Sequence, residues 1–201
     1  MDISGRFVVL GFSGGPDALA LAHRLQLCGA EVMPVYISYR KTGGGKTKKD
    51  LRAARSSAAA LKFPAPLVIW EPLGMRAKSE RNRFFIPLLA LIARSRGART
   101  VAIGTIQEAG NADLDPAILS ACGAEHGVDV LTWDSFWIRE KSEEFPGMVG
   151  MQCALSLTTS CQLWWNVECG NCHSCLARHT AFLKAFGRDP TIYRMGSRCA
   201  K

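Results

Sequence analysis

The sequence predicts an α/β protein: a doubly wound parallel sheet with a small C-terminal lobe built around a metal site. Three observations predict it. Apolar runs of strand length alternate with segments of helical periodicity from Arg6 to Thr132, a glycine-rich turn joins the first run to the first helix, and four of the eight cysteines crowd between positions 161 and 175. Such alternation implies parallel strands joined by helical crossovers that cover both faces of the sheet.

Arg6 to Leu10 is a β-branched apolar run that stops at Gly11, and apolar positions from Asp17 to Cys28 recur at helical spacing until Gly29. Glu31 to Tyr39 reads as the second strand. Lys49 to Leu61, rich in alanine and arginine, reads as the second helix, preceded by a glycine- and lysine-rich mobile loop, Thr42 to Lys49. Leu67 to Trp70, Arg83 to Arg96 and Thr100 to Gly104 continue as strand, helix and strand. Asp115 to Glu125 follows as a helix with proline in its first turn, and Val128 to Thr132 as a fifth strand. After Met148 the periodicity fails as far as Cys172; an amphipathic helix resumes from Ser174 to Phe186, closed by Gly187 to Pro190. These boundaries divide the chain into an α/β domain over 1–148 and a zinc-binding lobe over 149–201.

The 201 residues are 48% apolar and 21% charged, values of a globular chain long enough to bury a core without disulfides. No apolar run reaches the roughly 20 residues that cross a bilayer. The N-terminal segment lacks the basic start and small-residue cleavage site of an export signal. A cytoplasmic protein with reduced cysteines is expected. The net charge of +8 favours polyanions, nucleic acid and nucleotide phosphate alike. Because the basic residues are spread along the chain and form no single stripe, a non-catalytic zinc protein that binds nucleic acid ranks last among the function classes.

Cys169-Gly170-Asn171-Cys172 and Cys172-His173-Ser174-Cys175 are two Cys-x2-Cys turns that share a residue, and Cys161 lies eight residues upstream. Four thiolates suit tetrahedral zinc, and a set with no open position marks a structural ion, not a catalytic one. The alternatives are an iron-sulfur cluster, a redox Cys-x-x-Cys pair, or His173 in place of one cysteine. Gly170 allows the first turn to close tightly. Cys28 and Cys122 fall on helices as core residues; Cys153 and Cys199 have no evident place.

Ser13-Gly14-Gly15-Pro16-Asp17 places close-packed backbone amides at a helix N-terminus, which is what a phosphate requires. It is neither a Walker loop nor a Rossmann fingerprint. Ser-Gly-Gly-x-Asp after the first strand resembles the pyrophosphate loop of the ATP pyrophosphatases. The C-terminal signature, Thr159-Ser160-Cys161, then Cys169 to Arg178, then Asp189-Pro190, resembles the 7-cyano-7-deazaguanine synthase family. Arg81-Asn82, Ile103-Gly104, Asp113 and Lys141 match that family in order between the two motifs, so the resemblance spans nearly the whole chain. Three features depart from it. Ala18 stands where the family carries a serine, Tyr39-Arg40-Lys41-Thr42-Gly43 replaces its Tyr-Gly-Gln-Arg-His, and Asn111-Ala112 replaces its Tyr-Pro. The phosphate site survives in outline, and the second substrate site is retuned.

The resemblance implies an adenine nucleotide α-hydrolase-like fold and an ATP-dependent C-N ligase. Such an enzyme adenylates a 7-carboxy-7-deazaguanine-type carboxylate and converts it to an amide and a nitrile, releasing AMP and pyrophosphate or ADP and phosphate. On this reading Ser13, Gly14, Gly15, Asp17 and Gly104 bind ATP, and Asn82 and Asp113 bind the deazaguanine. Asp17 with Mg2+, Arg81 and Lys141 offset charge at the reacting phosphate, and Cys161, Cys169, Cys172 and Cys175 hold structural Zn2+. Plainer readings stand beside these: Asp17 serving the helix dipole, Asp113 a helix cap, Arg81 and Lys141 solvated surface. The lysines from Lys41 to Lys49 form a lid or a solvated run, and Trp164 and Trp165 stack on a base or pack over the zinc knuckle. The acceptor is ammonia or, in an antiphage-defence paralogue, a protein amine. A homodimer without membrane or nucleic-acid partners is expected.

Overall fold

The computed structural model describes residues 2–38, 45–70, 81–105, 115–136, 145–148, 150–161 and 167–194. Strands β1 (Phe7–Gly11), β2 (Glu31–Ser38), β3 (Leu67–Trp70), β4 (Thr100–Ile103) and β5 (Asp129–Leu131) form one parallel sheet in the order β3-β2-β1-β4-β5. Between them run α1 (Pro16–Leu27), α2 (Gly45–Ala60), α3 (Arg81–Ser95) and α4 (Pro116–Glu125). The alternating α/β pattern is therefore realised as a sheet covered on both faces. Side chains on β1 alternate between them: Val8 and Leu10 join the buried cluster of α1 and α2, and Val9 joins that of α3 and α4.

Each helix shows the chemistry that bounds it. Asp115 caps α4, its Oδ1 accepting from the Ala117 amide at 2.8 Å, with Pro116 at the first helical position. Gly123 lets α4 settle on β5, since a methyl group there would lie 2.4 Å from Val130 Cγ2. Within α3, Pro87 has no N–H to offer the Arg83 carbonyl one turn back. The Cys122 thiol of α4 points at that carbonyl from 3.9 Å. Burial, then the charge of Glu125, push this thiol's pKa up, so it stays protonated as a weak donor.

Two expectations need correction. The mobile loop assigned to Thr42 to Lys49 is helical from Gly45 onward. Its first turn is tied to the sheet: Thr47 is buried, and the Tyr36 hydroxyl donates to its carbonyl at 3.4 Å. The stretch after Met148 also contains a helix, α5 (Gln152–Ser156), too short for any periodicity to reveal. Beyond it α6 (His173–Phe186) ends at Gly187 in the left-handed conformation, φ 69°. Phe145, Met148, Leu155 and Phe182 pack into the cluster of α1 and α2, with the Phe145 and Phe182 rings edge to face at 5.5 Å. The C-terminal segment thus lies on that face of the sheet.

Candidate active site and metal centre

The chain leaves β1 towards β2 on one side and returns at β4 on the other, so a crevice opens where the strand order reverses. A cavity of about 210 Å3 occupies it. Ser13 and Gly15 line it from the loop after β1, Asp17 from the first turn of α1, Gly104 and Thr105 from the end of β4, and Asn82 from α3. Thr159, Ser160 and Ser174 approach from the C-terminal segment, while Val35, Ile37, Phe85 and Leu89 give an apolar wall.

The loop takes its shape from close backbone packing. Gly15 is the N-cap of α1, with extended φ and ψ of −82° and 161° and no side-chain cap. Its amide donates to Ser13 Oγ at 3.3 Å. Gly14 has φ 78°, and a methyl group there would lie 2.6 Å from the Asp50 carbonyl oxygen and 2.7 Å from the Ala54 nitrogen of α2. Gly104 is equally constrained: a methyl group would lie 2.7 Å from Ala18 Cα. Glycine at 104 lets the end of β4 abut the first turn of α1.

Of the residues assigned roles from sequence, Ser13, Gly15, Asp17, Gly104 and Asn82 share this cavity. Asn82 is buried near the start of α3. Gly14 is absent from the lining; it faces α2, and its carbonyl accepts from the Thr159 amide at 2.9 Å. Arg81 opens α3, with its side chain outside the described residues, as are Asp113, Lys141, Trp164, Trp165 and Cys199. Asp50 and Thr105 also line the cavity and were not singled out from sequence. Thr105 Oγ1 is buried without a hydrogen-bond partner among the described residues.

The sulfurs of Cys161, Cys169, Cys172 and Cys175 all lie within 4.8 Å of one another, and those of Cys169 and Cys175 are 3.9 Å apart. Tetrahedral zinc about 2.3 Å from each sulfur needs sulfurs about 3.8 Å apart, so the set fits. The amides of Asn171 and Cys172 donate to Cys169 Sγ at 3.4 and 3.3 Å, the wrap expected of a Cys-x2-Cys turn. Burial pushes the Cys169 and Cys175 thiols up; a bound cation holds such sulfurs as thiolates. The cluster is consistent with a zinc site. His173, exposed at the start of α6, is not part of it.

Sequence reasoning missed what surrounds the sulfurs. Glu168 is buried beside Cys169, and its carboxylate accepts from Lys49 Nζ (2.6 Å), Thr159 Oγ1 (2.8 Å) and the amides of Ser160 (3.2 Å) and Cys161 (2.6 Å). Burial alone would raise its pKa. The hydrogen bond and charge of Lys49, the Thr159 hydroxyl and the charge of Arg178 outweigh burial and hold the carboxyl below its usual range. Lys49, read as part of a loop or solvated run, is thus a buried partner. Arg178 is fully buried and donates to Leu155 O (2.9 Å) and Thr158 Oγ1 (2.7 Å), fastening α6 to the segment before the cysteines, and to Thr191 Oγ1 (2.8 Å) in the stretch that follows α6.

Fold and site define an α/β protein with a glycine loop at the strand-order reversal and a four-cysteine centre against it. No family model matches the chain. It is 22% identical over 227 aligned positions to a 7-cyano-7-deazaguanine synthase of Aliarcobacter butzleri, covering 96% of this chain and 97% of that one. It is 24% identical to the synthase of Nitratiruptor sp., covering 92% and 98%, and 23% identical to that of Sulfurimonas denitrificans, covering 96% and 100%. The chain is a distant, near full-length homologue of the 7-cyano-7-deazaguanine synthases. Among solved structures, a predicted subunit of tRNA methyltransferase from Methanocaldococcus jannaschii superposes with a TM-score of 0.49 at 17% identity, over 63% of this chain and 68% of that one.

Proposed function

We propose that the chain is an ATP-dependent C-N ligase that adenylates a 7-carboxy-7-deazaguanine-type carboxylate and passes the acyl group to an amine. The observation that carries this reading is the shared cavity: Ser13, Gly15, Asp17 and Gly104 on one side, Asn82 and the Thr159-Ser160 strip on the others. The uncapped N-terminus of α1 offers backbone donors and the positive end of a dipole to a pyrophosphate leaving group. Ser13 Oγ accepts from Gly15, which leaves its proton for a phosphate oxygen. Asp17 holds magnesium on the polyphosphate, and Val35, Ile37, Phe85 and Leu89 seat a purine face.

The carboxylate attacks the α-phosphate, the bond to the β-phosphate bridge breaks, and pyrophosphate leaves. An amine then displaces AMP to give an amide. These steps call for positioning and charge neutralisation, with no protein nucleophile. Asp113, Arg81 and Lys141 complete the proposed substrate and charge contacts. Zinc at the four cysteines has a structural role, shaping the wall that carries Thr159 and Ser160.

The test is pyrophosphate release from ATP with and without the deazaguanine acid. The expected result is release that needs the acid and is lost in Asp17→Ala, which keeps its metal. Acid-independent hydrolysis, or none with any deazaguanine acid, would count against the assignment. The product mass with ammonia, compared with that of an added protein amine, identifies the acceptor.

A further inference from the structure

The C-terminal segment meets the glycine loop at one strip of backbone, and a buried ion pair stands behind it. The Thr159 amide donates to the Gly14 carbonyl at 2.9 Å, and Thr159 and Ser160 form part of the cavity wall. From the other side Glu168 grips the same strip, with Oε1 on the Thr159 hydroxyl and Oε2 on the amides of Ser160 and Cys161. Oε1 also receives Lys49 from α2, the helix against which Gly14 is packed. The contacts close a ring: glycine loop, Thr159, Glu168, Lys49, α2 and back to the loop. Cys161 sits on this ring, and Cys169 is the next residue after Glu168.

The Lys49 and Glu168 side chains are only 11% and 7% exposed. Removing both charges from water carries a desolvation penalty that an apolar pair of similar volume avoids, so stability alone is a weak reason for this pair. What the pair supplies is geometry. Both carboxylate oxygens are engaged by donors from α2, the cavity wall and the ligand backbone together.

We propose that Lys49 and Glu168 couple the metal centre to the glycine loop, so that polyphosphate binding and metal retention each strengthen the other. The inference rests on the reading of Ser13 to Asp17 as a pyrophosphate loop. A polyphosphate that fixes the loop fixes Gly14 and, through Thr159, the carboxylate beside two ligands. A metal that fixes Cys161 and Cys169 fixes the wall the polyphosphate meets. Linkage requires the two effects to be equal in binding free energy.

The experiment follows metal transfer from the metal-loaded protein to a chromogenic chelator, with and without saturating magnesium-ATP, and measures ATP affinity by calorimetry. In the native chain ATP is expected to slow metal release about tenfold, within the usual range of coupling. Lys49→Met keeps the aliphatic stem and removes the charge. It should reduce the ratio to below about twofold and weaken ATP binding, while Lys49→Arg restores most of the ratio. If Lys49→Met speeds release equally with and without ATP, the pair is a structural strut and the coupling is refuted. ATP that binds the native chain without slowing release refutes the coupling but spares the loop reading, whereas no ATP binding at all defeats both. Should Lys49→Met fail to fold, Thr159→Val removes one hydrogen bond to Glu168, and an unchanged ratio in that variant refutes the proposal as well.

Discussion

At Gly104 an added methyl group would sit 2.7 Å from the Cα of Ala18, whereas at Gly147, on the way into the C-terminal segment, it would meet nothing within 4 Å among the described residues. Among the described residues, the contrast extends to the regions around the two glycines. The glycine loop is shaped by backbone against backbone, between β1, β4 and two helices that bury apolar faces against the sheet. The segment around the cysteines is shaped by directed bonds: among the described residues its own buried cluster is three cysteines with Cys172 and Tyr193 against them. Close packing gives the loop its form before any ligand arrives. Among its described residues the cysteine segment is held by its sulfurs and by buried charges, Glu168 and Arg178 among them, and depends on both.

The largest expected effect follows from that dependence. Cys172→Ser should lose the metal, because binding free energy at a structural zinc site is folding free energy for the segment it organises. Thr159 and Ser160 then leave the cavity wall, and activity should fall by more than about 100-fold. Metal content by mass spectrometry and amide exchange of α6 are the readouts. Metal retained at one equivalent, with α6 still protected, would show that the segment folds without its fourth ligand.

Around the cavity the comparison becomes one glycine against another, Gly104 after β4 against Gly15 in the loop. Gly104→Ala forces backbone apart and should destabilise the protein by about 1–3 kcal/mol, as overpacking does. At about 2–4 °C per kcal/mol for a chain of this size, the midpoint should drop visibly. Gly15→Ala is different. Its methyl group would lie 3.4 Å from Ser13 Oγ and 3.6 Å from the Thr159 carbonyl oxygen, ordinary contacts at a φ any residue adopts. Stability should stay within about 0.5 kcal/mol of the native chain, as for a tolerated surface change. ATP affinity should nevertheless fall, because the methyl group enters the space a phosphate would use. Equal melting losses in the two variants would break this distinction.

The same contrast explains what could be read from the amino-acid sequence. The strands were legible because each is a short apolar run in a buried parallel sheet, and Gly29 and Gly187 mark helix ends by a conformation that favours glycine. The cysteine set was legible because its spacing is local. Glu168 and Lys49 were not, since 119 residues separate them and neither stands in a motif. A lysine among lysines reads as solvated until the fold brings a carboxylate to it. Helix α2 begins early for a similar reason: Tyr36 and the core hold Thr47, and no local propensity in a glycine- and lysine-rich stretch announces that. Asn82 is recognisable as a site residue only through the resemblance, and the same cavity also recruits Thr105 and Asp50, which no pattern distinguishes from ordinary surface residues.

A pH-dependent effect separates the two holding devices of the C-terminal segment, metal and charge. Asp189 accepts from the Thr191 amide at 2.9 Å, faces His179 Nδ1 at 3.0 Å, and receives the Tyr193 hydroxyl. Burial acts to raise its pKa. The hydrogen bonds from Thr191, Tyr193 and His179 outweigh burial and hold the carboxyl below the ordinary aspartate range, while burial and Asp189 itself keep Tyr193 protonated. A carboxylate with a depressed folded-state pKa stabilises the protein above its unfolded pKa, about 3.9, and loses that contribution as pH falls through the folded value. Asp189→Asn should therefore lower stability by about 2 kcal/mol near neutral pH, the scale of hydrogen bonds to a charged group. The deficit should stay level down to about pH 5 and close below about pH 4. Urea midpoints measured with metal in excess, native chain against variant, give the comparison. A deficit that widens on acidification would mean that Asp189 is neutral in the native fold and that the segment relies on its thiolates alone.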